Sequence, residues 1–331
     1  MRILIGTDTT PDLFSGATTQ LKATLEGLKA EGHEVLVIDP SDFYSFTSKK
    51  IHFALWPKRG LEKKILSFKP QAVHIYTECG VGIYLRHICK KQNYKFSTSY
   101  LTRLDLILDK RFHIPPIFID WFMRWFHQGD VTMTVSKGIK EYLEKLGCKH
   151  PIKIWHPGVH TERFTFNPKK AIHKNHPIFV YFGRIDKEKN LEAFLDLDLP
   201  GEKWIIGSGG EFLHLREVYG EQSKFFEVHS QQEINQLLQK CDVLVFPSKF
   251  DTFGIVIVEA MAAGIPCAAF PEAGPKEIIT QGVSGIMDKN LKKGCIEALS
   301  LDPLDCAKES DRFSIKSSVR MFLNNLEPMD S

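Results

Sequence analysis

Apolar residues along this chain fall into short unbroken runs, separated by stretches with helical spacing. "RILIG" at residues 2–6 has no polar alternation, which predicts a strand covered on both faces. "ATTQLKATLEGLKAEGH" follows with apolar residues at helical intervals, and Gly32 is placed to stop a helix. "EVLVID", "QAVHIYT", "KFSTSY" and "VTMTVS" predict further strands, with "VGIYLRHICKKQ" and "KGIKEYLEKLG" as helices among them. This strand–helix rhythm predicts an open parallel sheet with helices on both faces.

The rhythm then restarts. Past the proline-punctuated residues 155–177, "IFVYFGRI" predicts a second buried strand and "KNLEAFLDLD" a helix. "KWIIGSGG" reads as a strand with a tight turn, "QEINQLLQKCD" as a helix, and "VLVFPS", "IVIVEAMAAG" and "CAAF" as strand, helix and strand. The expected fold class is α/β, with two Rossmann-like domains joined near residues 156–170 and facing across a cleft at the carboxyl ends of their strands. We place the first at residues 1–160 and the second at 161–309, with a C-terminal helix at about 310–331 packing back on the first.

Composition narrows the class. The 331 residues are 43% hydrophobic and 25% charged, the balance of a soluble globular protein. The first residues lack the apolar core of a signal peptide, and no run approaches about 18 uninterrupted apolar residues, so no spanning helix is expected. Seven cysteines without C-x-x-C spacing argue against a disulfide framework or a metal site and fit a reducing cytoplasm. The net charge of +3 conceals an asymmetry: residues 1–165 hold 24 Lys+Arg against 16 Asp+Glu, or +8, and the remainder 19 against 24, or −5. A basic half fits an anionic surface or acceptor, although on charge alone a solvated lysine-rich face is the favoured reading.

Three stretches carry candidate chemistry. In "FGRIDKEKN", Arg184 and Lys189 stand past the end of a strand, two cations suited to a diphosphate, or else surface residues salt-bridged to Asp186 and Glu188. In "IIGSGGEF", Gly207, Gly209 and Gly210 permit close backbone approach to a ligand, as a plain tight turn also would. In "FDTFGIVIVEAMAAGIP", Asp251 lies in a loop and Glu259 in the first turns of a helix. The amides of Phe253, Gly254, Ile255 and Val256 form that helix's start, a cradle for an anion. Glu259 among apolar neighbours is costly to bury unless ligand hydroxyls satisfy it; the alternative is a solvent-facing Glu259 behind a helix capped by Asp251.

Taken with "GPKEII", "VHIYTECGVGIYLRHICKK", "STSYLTR" and "WHPGVHTERF", these stretches resemble the family 4 glycosyltransferases of GT-B fold, over most of the chain. The likeness is to the branch of mannosyl- and sulfoquinovosyl-transferases that glycosylate lipids. It implies a retaining, metal-independent hexosyltransferase with no cofactor, using a UDP- or GDP-linked sugar as donor. Catalysis would fall to Arg184, Lys189 and Asp251. The donor would be held by Gly16, Gly183, Arg184, Lys189, Gly207, Gly209, Asp251, Thr252, Phe253, Gly254, Ile255, Val256 and Glu259. Within that set Glu259 takes the ribose and Asp251 the sugar. Glu78, Tyr100 and Arg103 are acceptor candidates. Leu101 departs from the pattern, standing where the family usually has histidine. The rivals are a nucleotide-sugar epimerase or hydrolase, and a non-catalytic binder of nucleotide sugars.

The acceptor implied is a lipid or glycan precursor, at a cytoplasmic location with peripheral contact to the inner membrane face through the basic N-terminal half. "IPPIFIDWFMRWFHQG" fits either an interfacial helix or a core helix under the first sheet, and the core reading is favoured. No nucleic-acid motif accompanies the basic charge.

Overall fold

A computed structural model describes residues 1–9, 16–48, 51–101, 114–164, 166, 176–228, 230–251 and 253–328. The chain divides into two compact units, Met1–Gly158 with Ile315–Ser331, and Val159–Ser314.

In the first unit, β1 (Arg2–Gly6) leads through α1 (Gly16–Ala30) to β2 (Glu34–Ile38), and a hairpin of β3 (Phe43–Ser48) and β4 (Ile51–Pro57) follows. Then come α2 (Leu61–Phe68), β5 (Ala72–Ile75), α3 (Gly80–Gln92), β6 (Ser97–Tyr100), α4 (Pro116–Phe126), β7 (Val131–Thr134), α5 (Lys137–Leu146) and β8 (Ile152–Ile154). The sheet runs β2-β1-β5-β6-β7-β8 with every pairing parallel. The apolar strand β1 is buried as its pattern predicts. The polar β6, "STSY", is equally buried. Buried hydroxyls need partners, and they find them: His74 bonds the Ser97 and Ser99 hydroxyls at 2.8 and 2.6 Å, and Thr98 meets Thr132 at 3.0 Å.

The second unit repeats the plan with β9 (Ile178–Arg184), α6 (Glu192–Leu195), β10 (Glu202–Ser208), α7 (Phe212–Tyr219), β11 (Lys224–Phe226), α8 (Gln231–Leu238) and β12 (Val243–Phe246). It continues through α9 (Ile255–Ala262), β13 (Cys267–Ala269), α10 (Ala273–Ile278), β14 (Gly285–Met287), α11 (Leu291–Ala298) and α12 (Pro303–Glu309). Its strands are ordered β11-β10-β9-β12-β13-β14, again all parallel. The architecture is therefore two parallel-sheet Rossmann-like α/β units, as the hydrophobic rhythm predicts.

One predicted helix is much shorter than its pattern. "KNLEAFLDLD" predicts a helix across residues 189–198, yet only Glu192–Leu195 is α-helical. Lys187–Lys189 forms a 3-10 turn closed by Asn190 at φ 56, a left-handed residue that ends the turn before the helix starts. At the other end the Lys203 ammonium donates to the carbonyls of Leu195 and Leu197, which the end of the helix leaves without backbone donors.

The last helix, α13 (Ile315–Asn325), belongs to the first unit. Trp155 Nε1 donates to Ser318 Oγ at 3.1 Å, Asn325 Nδ2 donates to the Ile154 carbonyl at 2.8 Å, and Phe322 packs 4.8 Å from the Trp155 ring. Gly27 on α1 gives α13 its place, since a Cβ there would sit 2.4 Å from Val319 Cγ2.

The aromatic α4 is only partly the core helix favoured above. Ile119, Met123 and Phe126 are buried at helical spacing, whereas Ile117, Phe118 and Trp121 face solvent. Among the described residues no helix is long and apolar enough to cross a membrane.

Candidate active site

In the second unit the candidate residues gather at the carboxyl ends of neighbouring parallel strands, where open α/β sheets bind ligands. β9 supplies Gly183 and Arg184 and the turn carrying Lys189; β10 supplies Gly207 and Gly209; the segment after β12 supplies Asp251. Two glycines are forced by proximity. A Cβ on Gly207, at φ 141, would lie 2.0 Å from the Gly183 carbonyl oxygen, and one on Gly209 2.2 Å from that of Ile185. The strand ends thus close to a separation that no side chain would allow.

Lys189 and Asp251 come together across 62 residues, Nζ donating to Oδ1 at 2.7 Å, with side chains only 14% and 23% exposed. Asn190 fixes this approach by donating from Nδ2 to the Pro247 carbonyl at 3.0 Å. The second Asp251 oxygen, Oδ2, is buried with no hydrogen-bond partner among the described residues. Such an atom costs stability unless something arrives to donate to it.

Arg184 behaves differently. Its side chain is exposed and held by Asp186 at 2.8 Å and Glu188 at 3.1 Å, the surface pairing that the sequence leaves open. Asp186 also accepts from the Gly210 amide at 3.1 Å, so one carboxylate joins the cation to the glycine turn. Arg184 lies on the same strand end as the Lys189 turn, but its cation is committed elsewhere in this state.

Gly254 caps α9 in the left-handed region at φ 102, leaving the first-turn amides of Ile255 and Val256 without intrahelical acceptors. Phe253 is buried, its ring 5.7 Å from Phe313. The loop lies directly on α10, because a Cβ on Gly274 would come within 2.4 Å of the Phe253 carbonyl oxygen. Glu259 sits on α9 among the buried Val258 and Ala260, half-buried itself and with no partner among the described residues. Burial pushes its carboxyl up to about 7. It is a carboxylate made costly by its surroundings.

The first-unit candidates are less gathered. Gly16 starts α1, and a Cβ there would meet nothing within 4 Å, so packing does not demand a glycine. Glu78 and Tyr100 are interior: Glu78 Oε1 lies 3.7 Å from His127 Nε2, and the Tyr100 ring is 5.5 Å from that of His127. Arg103 and Thr252 lie outside the described residues. Leu101 is buried.

Asp8 escapes the sequence reading altogether. Its carboxylate accepts from the Val81 amide at 2.8 Å and the Thr77 hydroxyl at 2.8 Å, capping α3 from a different strand. Burial outweighs these bonds and raises its carboxyl to about 6. Only the position of an acid just past β1 hints at this, and sequence alone does not say which helix it meets.

Known proteins give this geometry a context. The family described as "Glycosyltransferase Family 4" matches residues 14–163, and that described as "Glycosyl transferases group 1" matches residues 162–313. A sulfoquinovosyl transferase of Arabidopsis thaliana is 25% identical over 328 residues, covering 86% of this chain. The chain spans 62% of that relative's length. A GDP-mannose-dependent alpha-mannosyltransferase of Corynebacterium glutamicum is 24% identical over 320 residues, covering 87% of this chain and 76% of its own. Among solved structures, the apo form of the lipopolysaccharide outer core galactosyltransferase WaaB superposes with a TM-score of 0.72 at 18% identity, covering 98% of this chain and 99% of that one.

Proposed function

We propose that this chain, which belongs to the family 4 glycosyltransferases and has the GT-B fold, moves a hexose from a UDP- or GDP-linked donor to a lipid or glycan-precursor acceptor, with retention and without a metal. The observation that carries the reading is the Lys189–Asp251 pair beside the open start of α9, with Asp251 Oδ2 and Glu259 both lacking partners among the described residues. The relative named for GDP-mannose supports a nucleotide-sugar donor. The acceptor class rests on the lipid-glycosylating branch that the motifs resemble and on the +8 half of the chain.

The roles follow from charge. Lys189, Arg184 once released from Asp186 and Glu188, and the amides of Ile255 and Val256 neutralise the diphosphate. Neutralising the leaving group in this way needs no cofactor. Asp251 Oδ2 accepts from a sugar hydroxyl and Glu259 from the ribose hydroxyls. The bond from C1 to the β-phosphate oxygen breaks, the acceptor oxygen bonds C1 on the same face, and the acceptor's proton passes to the departing phosphate. The reaction belongs at the cytoplasmic face of a membrane, with the chain bound peripherally.

Incubating the chain with UDP- and GDP-linked hexoses and a phospholipid extract tests the chemistry. The expected product is a glycolipid with the donor's anomeric configuration by NMR, formed in the presence of a chelator. An inverted linkage contradicts retention, and a requirement for added divalent cation contradicts metal independence. Donor epimerised or hydrolysed with no transfer favours the rival enzymes.

A further inference from the structure

Exposed bulky apolar side chains concentrate on one region of the first unit. On the outer face of α4, Ile117 is 70%, Phe118 63% and Trp121 59% exposed, opposite the buried Ile119, Met123 and Phe126. On the β3–β4 hairpin, Tyr44 and Trp56 are direct cross-strand partners, 58% and 65% exposed. Leu55, skipped by the register at the bulge beside Tyr44, is 50% exposed. A globular chain gains by burying such groups, and leaving them together in water is the informative exception.

α3 links the two sets. A Cβ on Gly80 would strike the Ala54 carbonyl oxygen of β4 at 2.3 Å, and the Phe43 and Tyr84 rings meet edge to face at 5.4 Å. On its other flank, a Cβ on Gly82 would lie 3.0 Å from Phe126 Cζ, and the Arg86 guanidinium covers the Trp125 ring at 4.1 Å. Hairpin, α3 and α4 are therefore adjacent packed elements of one unit. Ile83 on α3, 39% exposed, stands between the two protruding sets.

Charge identifies the occupant. The chain between Lys49 and Lys95 holds the densest basic sequence; Lys58, Arg59 and Lys90 are exposed around these elements, with Arg124 on α4 itself, while Lys91 pairs with Glu62 at 2.7 Å. Two aromatic-rich protrusions amid lysine and arginine match an anionic lipid interface, where indole and phenol rings settle at headgroup depth and cations meet phosphates.

We propose that α4 and the β3–β4 hairpin insert Ile117, Phe118, Trp121, Tyr44 and Trp56 into the interface of an anionic membrane, with the flanking cations on its headgroups. This deepens the functional proposal and rests on it for the acceptor's location. The surface itself makes no use of the nucleotide-sugar site.

The test is flotation of the full chain with phosphatidylglycerol-containing vesicles and with pure phosphatidylcholine vesicles. Wild type is expected to float with the anionic vesicles, with a blue shift of tryptophan fluorescence. The Ile117→Ser/Trp121→Ser and Tyr44→Ser/Trp56→Ser variants are each expected to bind about tenfold more weakly or worse. Donor binding by thermal shift, run on the same samples, checks that the variants fold and reads the enzymatic proposal separately. Absence of vesicle binding overturns the membrane surface while leaving donor binding to stand. Binding that salt abolishes and the apolar substitutions leave unchanged also overturns it. So does a dimer that these substitutions convert to monomer, which would make the occupant a second copy.

Discussion

Lys189 Nζ and Asp251 Oδ1 lie 2.7 Å apart, and the other Asp251 oxygen is buried without a partner among the described residues. Removing the cation alone leaves both oxygens uncompensated in a mostly enclosed place. Lys189→Ala is expected to destabilise the chain by about 1–3 kcal/mol, measured by denaturant unfolding. The double variant Lys189→Met/Asp251→Leu, which removes both charges, is expected to recover most of that loss while remaining inactive. Full stability in Lys189→Ala would show that the pair is not formed in solution.

Glu259 makes stability and donor binding depend on pH. Its carboxyl is raised by burial from 4.5 to about 7, so between those values the folded chain keeps a proton that the unfolded chain has released. Its contribution to stability is therefore fully present below pH 4.5 and is lost as pH rises to about 7. Glu259→Gln is expected to flatten this slope. In the proposed contact the ribose hydroxyls donate to the ionised form, so donor binding near neutrality should release a proton. Calorimetry in two buffers of different ionisation enthalpy counts it, and a count of zero contradicts the assigned contact.

Asp8 holds the start of α3 through the Val81 amide and the Thr77 hydroxyl. Asp8→Ala is expected to cost about 1–2 kcal/mol, as loss of a helix cap does. Because burial raises this carboxyl to about 6, its contribution also falls as pH rises from 3.8 toward that value. Thermal unfolding across that range checks both claims, and a variant as stable as wild type would remove the capping role.

Phe322 anchors α13 between the rings of His74 and Trp155, at 4.9 and 4.8 Å. Phe322→Ala is expected to cost about 3–5 kcal/mol and to lower the unfolding midpoint. A change below about 1 kcal/mol would mean that the last helix adds little to the first unit.

Much of the fold is legible in the sequence because several buried parallel strands carry apolar side chains on both faces. "RILIG", "IFVYFGRI" and "VLVFPS" therefore appear as unbroken apolar runs. The polar β6, by contrast, is buried only because its hydroxyls find partners on neighbouring strands. The hairpin is less legible, since Tyr44 and Trp56 face water and carry no alternating pattern that distinguishes them. Helix α6 is over-read because its periodicity continues past Leu195, whereas the carbonyls there turn to a lysine from β10. The candidate site divides in the same way. Cations and carboxylates at strand ends can be named from sequence, but not which of them meet. Lys189 reaches Asp251 across 62 residues, and Arg184 turns to the neighbouring Asp186. Those choices depend on how Asn190 and the glycine ends of β9 and β10 bring the loops together, which is tertiary information.

The function proposed for the chain is sugar transfer from a nucleotide donor through the strand-end site of its second unit. Its most direct test is the rate of labelled-sugar transfer from UDP- and GDP-linked hexoses to a lipid extract, for wild type and Lys189→Ala side by side. The expected result is transfer by wild type and a loss of about a hundredfold or more in the variant, matching removal of a charge that stabilises the leaving group. Equal rates in the two proteins would contradict the assignment of the site, and no transfer by either from any donor would contradict the function.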